Sequence, residues 1–373
     1  MGGGFLHLYV HVPFCTGKCR YCGFYSVVAR ASSGWAPVPW QEAVAARIQT
    51  VYIGGGSPDV LGAGGLSGLS GNLREMFPLD AVEEWTVELN PSGVAPEVLG
   101  ALQRMGANRV SIGAQSFCDA TLRRIGRRHS TEAVVRAVRM AQGHGFGNVG
   151  VDLIAGLPEV SEEEWRGTLS TTLSLGLTHV SVYALSVEAD TPLAHEVAAG
   201  RCVLPGDDAQ LDALATAEAL LTGAGFGRYE ISNYALPGFA CKHNLGIWRG
   251  NDYLGLGPSA ASRMGPLRWT NPSSLDASLP VEREPLDEMD DAVERVMFRL
   301  RLGEGFDPFA AAEAYPVLKP VADAWETRLE GLARQGVVER GGLSWRLTAR
   351  GREVGDAVIG RVFFGSGTFG VRS

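Results

Sequence analysis

The sequence predicts an α/β fold built on a parallel sheet, either open or closed into a barrel. Three observations point there. Short apolar runs alternate with helix-like segments through the first half of the chain. Polar or glycine residues follow several of those runs, at the sheet edge where parallel α/β folds place their ligands. Three cysteines, Cys15, Cys19 and Cys22, crowd into eight residues just after the first run. A 373-residue chain with 45% hydrophobic residues can build one large core and a smaller one, which excludes a disordered protein.

The expected strands cover residues 7–12, 51–53, 85–89, 109–112, 149–154 and 179–185, and the expected helices residues 66–76, 96–105, 132–142 and 162–175. Ser161 with Glu164 forms the pattern of a capping box for the last of these helices. Gly54-Gly55-Gly56 follows the second strand, Asn90-Pro91 the third and Gln115 the fourth. Only 24 residues separate Ser26 from Val51, so the first helix, expected over residues 40–48, is short. Three regions result: a core over 1–206, a loop-rich extension over 207–284 and a C-terminal unit over 285–373. The last reads as a helix closing at Gly336, a strand, a Gly341-Gly342 turn, a second strand, and a helix capped by Thr348. That pattern is a small helix-and-hairpin, winged-helix-like domain.

Charge narrows the functions. Acidic residues outnumber basic ones 41 to 33, for a net charge of −8, the wrong balance for a general nucleic-acid or anionic-membrane binder. From Val321 onward eight Arg stand against six Asp and Glu, too small an excess for a phosphate-binding face. No apolar run approaches the ~18 residues of a membrane span, and the start lacks a basic segment followed by an apolar one. The expected compartment is the cytoplasm, where a tight cysteine cluster indicates metal or redox chemistry.

The cluster reads Cys15-Thr-Gly-Lys-Cys19-Arg-Tyr-Cys22, a C-x3-C-x2-C spacing. Three thiolates can cap three irons of a 4Fe–4S cluster and leave the fourth iron open to a small molecule. Zinc competes, but it usually takes paired cysteine motifs, and Cys118, Cys202 and Cys241 are scattered. A third alternative is three cysteines that are merely buried in a loop.

The chain resembles the radical S-adenosylmethionine (SAM) superfamily, and within it the oxygen-independent coproporphyrinogen III oxidase (HemN/HemW) family. The resemblance rests on Tyr9-Val-His-Val-Pro-Phe-Cys15, Gly54-Gly55-Gly56-Ser57-Pro58, Glu88-Leu-Asn90-Pro91, Gly113-Ala-Gln115-Ser-Phe117, Gly126-Arg127-Arg128-His129, Asp152-Leu-Ile-Ala-Gly156-Leu-Pro158, Tyr229-Glu-Ile-Ser-Asn233-Tyr234 and His243-Asn244. It implies a partial (β/α)6 barrel. It also implies a 4Fe–4S cluster on Cys15, Cys19 and Cys22, with S-adenosylmethionine bound at the open iron. Gly55, Gly56 and Ser57 would border the methionyl part, Tyr9 and Tyr21 would pack beside the cofactor, and Glu88 would accept from an ammonium or ribose hydroxyl. Gln115, Arg127 and Asp152 would line the cofactor or substrate site. A flavodoxin- or ferredoxin-like donor would supply the electron that cleaves S-adenosylmethionine to a 5′-deoxyadenosyl radical. Alone, Glu88 would read as a surface carboxylate, and the basic run Arg123, Arg124, Arg127, Arg128 as a solvated helix face.

Phe24 stands where the oxidase branch carries a fourth cysteine, and Tyr21 where that branch has Phe. The resemblance is therefore closer to the haem-chaperone branch. It implies binding of haem and S-adenosylmethionine for haem trafficking, with contact to a membrane only in passing if haem is delivered there. The alternatives are a coproporphyrinogen oxidase acting on a porphyrin and a radical methyltransferase. His243 is the expected axial haem ligand, although Ile247 replaces the tyrosine that completes the branch's motif and Ala261 stands where relatives often have His.

Overall fold

The computed structural model describes residues 5–28, 47–276, 279 and 281–365. Six strands lie side by side and parallel in chain order: β1 (Phe5–Val12), β2 (Arg47–Gly55), β3 (Glu84–Leu89), β4 (Arg109–Gln115), β5 (Asn148–Ala155) and β6 (His179–Ala184). Beyond β6 the sheet continues with short antiparallel strands β7 (Gly227–Arg228) and β8 (Asn233–Ala235), in the order β6-β8-β7. Beyond β1 it continues with a parallel β9 (Asp252–Leu256), then antiparallel β10 (Ala261–Met264), β11 (Leu267–Thr270) and β12 (Glu284–Pro285). The stretch expected to be loop-rich thus extends both edges of one twelve-stranded sheet among the described residues.

Strand periodicity sorts the side chains onto two faces. Leu8, Val10, Val51, Ile53, Trp85, Val87, Val110, Ile112, Val149, Val151, Val180 and Val182 alternate on the outer face and are all but fully buried. The helices α1 (Gly62–Met76), α2 (Pro96–Met105), α3 (Thr131–Gly143), α4 (Glu162–Ser174) and α5 (Asp207–Gly223) supply the apolar partners of that core. The inner face is polar almost throughout: His7, Tyr9, His11, Thr50, Tyr52, Glu84, Glu88, Arg109, Ser111, Asp152, His179, Ser181 and Tyr183. Tyr9 of β1 and Tyr183 of β6 line one cavity, so the sheet curls to bring its outer parallel strands together.

Ser161 caps α4 as expected, its Oγ accepting from the Glu164 amide at 3.1 Å. The reciprocal half of the capping box is missing. The Glu164 carboxylate instead accepts from the buried Thr121 hydroxyl at 2.5 Å, a donor that water cannot satisfy. A short helix, α6 (Lys242–Trp248), packs on β1 and β2, its Gly246 so close to the His7 ring that a Cβ would overlap it.

The C-terminal unit has its own core around Phe306, Trp325 and Phe363, built by α7 (Glu288–Met297), α8 (Lys319–Ala333), α9 (Gly355–Phe364) and the hairpin β13 (Val338–Gly341) and β14 (Ser344–Leu347). Thr348 caps as expected, accepting from the Gly351 amide at 3.0 Å. Arg295 to Asp252 (2.8 Å) and Arg263 to Asp291 (2.6 Å) join this unit to the edge strands of the sheet. The expected first helix falls outside the described residues, except that Arg47 and Ile48 belong to β2.

Candidate functional site

At the C-terminal ends of the parallel strands lies a cavity of about 640 Å³. Cys15, Cys19, Cys22, Tyr9, Tyr21, Gly55, Gly56, Ser57, Glu88, Gln115, Arg127 and Asp152 all line it. Residues more than a hundred positions apart meet here because each lies in, or follows, a parallel strand.

The cysteine loop is held in place from two sides. On one side the glycine turn after β2 docks against it: the Gly56 amide donates to Val12 O (2.8 Å) and the Ser57 amide to Phe14 O (2.7 Å). A Cβ on Gly56 would collide with those two carbonyl oxygens. Gly55 has φ 96° and lies against the His11 ring, and a Cβ on Gly54 would come within 2.6 Å of Glu88 Oε2. These glycines are required first by the protein's own packing. His11 Nε2 bonds Tyr25 O at 2.9 Å, tying the far end of the loop to β1.

On the other side stands the basic run. Arg128 Nη1 donates to Thr16 O (3.0 Å), the Arg20 amide to Ile125 O (3.1 Å) and Arg20 Nη1 to Arg124 O (3.2 Å). Arg127 reaches the cavity, donating through Nη2 to Gly113 O (2.7 Å) and lying 3.5 Å from Cys19 Sγ through Nη1. Its Nε is buried without a partner. The run is therefore a seat for the cysteine loop, not a solvated helix face; only Arg123 and Arg128 are exposed.

The opposite wall is acidic. Glu88 accepts from Tyr52 Oη (2.6 Å) and the Gly55 amide (3.3 Å). Burial, and then the charge of Asp152, push its carboxyl up to about 7. Asp152 accepts from Ser111 Oγ at 3.2 Å and is also raised by burial. Gln115 sits at φ 66°, a left-handed conformation rare for a non-glycine residue, at the end of β4. Sequence reasoning missed His11, Tyr52, Tyr183 and the buried Asp59, whose Oδ1 accepts the Asn90 amide at 2.8 Å. A count by twos from Tyr9 along β1 would have found His11; Tyr52 and Tyr183 stand on β2 and β6, which carry none of the residues singled out in the sequence beyond the glycine turn.

His243 does not line this cavity. It is 3% exposed, on α6, among the residues at the strand starts. Its Nδ1 bonds Thr50 Oγ1 at 2.8 Å, and its amide donates to Glu84 Oε1 at 3.0 Å. Burial holds the ring neutral, with His7 and Arg109 nearby adding to the effect. Ile247 belongs to the same helix and Ala261 begins β10.

The donor set fits the groups that the sequence implies. Three free cysteines, a guanidinium with one N–H (Arg127 Nε) without a partner and two carboxylates border one space. The thiols suit a cluster. The carboxylates and the guanidinium suit a ligand that carries an ammonium, hydroxyls and a carboxylate. Among the described residues no three His, Cys, Asp or Glu side chains gather closely enough for a single metal ion.

A parallel-strand barrel with this cysteine loop and glycine turn at its mouth defines a radical SAM protein, and the family model of the radical SAM superfamily matches residues 9–171. The heme chaperone HemW of Mycobacterium tuberculosis is 34% identical over 375 residues, spanning 94% of this chain and 93% of that one. The heme chaperone HemW of Escherichia coli is 37% identical over 274 residues, spanning 69% and 70%. The chain belongs to the HemW family. The fold is shared with coproporphyrinogen III oxidase (HemN) from Escherichia coli, with a TM-score of 0.78, 24% identity, and coverage of 97% of this chain and 90% of that one.

Proposed function

We propose that this chain carries a 4Fe–4S cluster on Cys15, Cys19 and Cys22, binds S-adenosylmethionine in the adjoining cavity, and binds haem for delivery to other proteins. The observation that carries the cofactor reading is the single cavity shared by the three thiols, the glycine turn, Glu88 and Arg127. The haem reading rests on the relatives' name, heme chaperone. Bound and reduced, the cluster supplies the electron that splits the sulfonium of S-adenosylmethionine. The chain's own residues bind and orient. Arg127 places a positive charge beside Cys19 and offers its free N–H to the carboxylate of the ligand. Glu88 and Asp152 accept from its ammonium or ribose hydroxyls, with Glu88 handing its proton to solvent as a cation arrives. Tyr9 and Tyr21 wall the cavity and exclude water, and Gly55, Gly56 and Ser57 keep the loop at the distance that the ligand needs.

In this reading residues 1–206 hold the cofactors, 207–284 extend the barrel and 285–373 pack beside it. A flavodoxin- or ferredoxin-like protein supplies the electron, and membrane contact is confined to haem delivery. Anaerobic reconstitution with iron and sulfide tests the reading, followed by spectra with S-adenosylmethionine and then with haem. Cluster absorption, S-adenosylmethionine cleavage and a Soret band on haem addition are expected. Absence of cluster absorption would overturn the cofactor reading, and absence of the Soret band the haem reading. Phe24 is 65% exposed at the cavity rim, where a fourth cysteine marks the oxidase. No conversion of coproporphyrinogen III to protoporphyrinogen IX is expected, and steady turnover would move the chain to the oxidase reading.

A further inference from the structure

His243 has no place in the cavity, yet it is connected to it. Inside the barrel its ring lies 5.1 Å from that of Tyr52, tilted 34°, and the Tyr52 ring lies 6.2 Å from that of Tyr9, tilted 36°. The three rings form a column that runs from the strand starts to the cavity wall. Tyr52 is its middle member and donates to Glu88 Oε1 at 2.6 Å. The base of the column is clamped. Thr50 Oγ1 sits 2.8 Å from His243 Nδ1 and 2.8 Å from His7 Nδ1; its single proton goes to one ring and it accepts from the other. Glu84 holds the His243 backbone, and Gly246 is wedged against His7.

We infer that His243 is a positioning residue for S-adenosylmethionine binding, acting from beneath the site: its ring supports Tyr52, which orients the Glu88 carboxylate toward the ligand. The inference rests on the proposed role of Glu88. The conformation of Glu88 depends on a hydroxyl on a ring, and the ring has one face against His243. Without the imidazole a void opens beneath Tyr52, the ring can drop, and the hydroxyl leaves Glu88. A buried histidine that only filled space would affect stability and nothing at the mouth.

The test is a double-mutant cycle on the anaerobically reconstituted full chain, reading the dissociation constant for S-adenosylmethionine. His243→Ala and Tyr52→Phe should each weaken binding about tenfold, the scale of one hydrogen bond lost to a charged group. The double variant should be no weaker than Tyr52→Phe alone, because both act through the same hydroxyl. The Soret band with haem should be unchanged in His243→Ala. His243→Gln, which keeps a polar group for Thr50 but removes the ring, should match His243→Ala, and it stands in if the alanine variant does not fold. Unaltered affinity in the His243 variants overturns the inference, and so do additive losses in the double variant. An altered Soret band with unchanged S-adenosylmethionine affinity overturns it too and restores the haem ligand. Glu88→Gln separates the two readings. If it leaves affinity unchanged, the cofactor role of Glu88 fails. The support is then judged by the tyrosine signal in near-ultraviolet circular dichroism, which His243→Ala must lower by itself but not in the Tyr52→Phe background.

Discussion

The two ends of the barrel are lined by the same kinds of residue and use them differently. At the strand starts, Glu84 accepts from Cys241 Sγ (3.3 Å), the Lys242 amide (2.9 Å) and the His243 amide (3.0 Å), while His7 and His243 each bond Thr50 and His179 bonds Tyr229. Among the described residues, Arg109 Nε and His179 Nδ1 are left over on the inner face there, and Trp85 Nε1 on the outer face. At the strand ends, Glu88, Asp152, Gln115 and Arg127 face a cavity and keep spare capacity. A buried polar group that is already paired is structure, and one paired on a single side is available to a ligand. That difference separates His243 from Glu88, although both lie in motifs that the family shares.

The comparison breaks most visibly at the mouth. Replacing Cys15, Cys19 or Cys22 with Ala should abolish the cluster's absorption entirely while leaving the apo protein's melting temperature within a few degrees, since the thiols are only half-buried. Retention of the cluster in any one of the three, with loss in a Cys118 variant, would reassign the ligands. The floor should respond in the opposite way. Glu84→Ala strips three donors of their acceptor and should cost roughly 3 kcal/mol in chemical denaturation. The folded fraction should still take up a full cluster. Loss of the cluster without loss of stability would mean that the two ends are not distinct.

Much of this was legible in the sequence because the physics is local. The six strands alternate, the cysteines are three and four residues apart, and Ser161 and Thr348 cap the helices that follow them. The polar inner face was harder to see. His7, Thr50, Glu84, Arg109 and His179 are scattered singly through the chain, and only the curl of the sheet puts them in one layer. The position of His243 was hidden for the same reason. Its neighbours in sequence are Lys242 and Asn244, but its neighbours in space are His7, Thr50 and Glu84 of the strands. The glycine turn lies between these cases. Its position was legible, but its use was not, because Gly56 packs against backbone more than forty residues away. Gly56→Ala should therefore push the cysteine loop off the turn, costing about 1–3 kcal/mol as overpacking and reducing cluster retention. Normal retention with normal stability would show that the contact is slack.

The smallest expected effect is in pH dependence, and it sharpens the contrast between the two ends. Glu88 at the mouth is raised from the ordinary 4.5 to about 7. His7 at the floor is lowered from 6.5 to about 4, by burial first, with Glu83 opposing. For Glu88 the folded, cofactor-free chain holds the proton more tightly than the unfolded chain. Its contribution to stability is complete below pH 4.5 and is lost as pH rises through 7. For His7 the folded chain holds the proton less tightly. Its contribution is present above pH 6.5 and is lost as pH falls through 4. The two slopes are of opposite sign and overlap between about pH 4.5 and 6.5, so within the wild-type profile they oppose each other there. Glu88→Gln removes one of them. The variant should gain stability relative to wild type as pH rises from 5 to 8, on the order of 1 kcal/mol once cavity water has screened the carboxylate. Binding of S-adenosylmethionine to the wild-type chain should weaken below pH 7, as Glu88 takes up the proton it must release to accept from a cation, and this dependence should vanish in Glu88→Gln. A stability difference that does not change with pH would place Glu88 among the paired groups, and the mouth would then be no different from the floor.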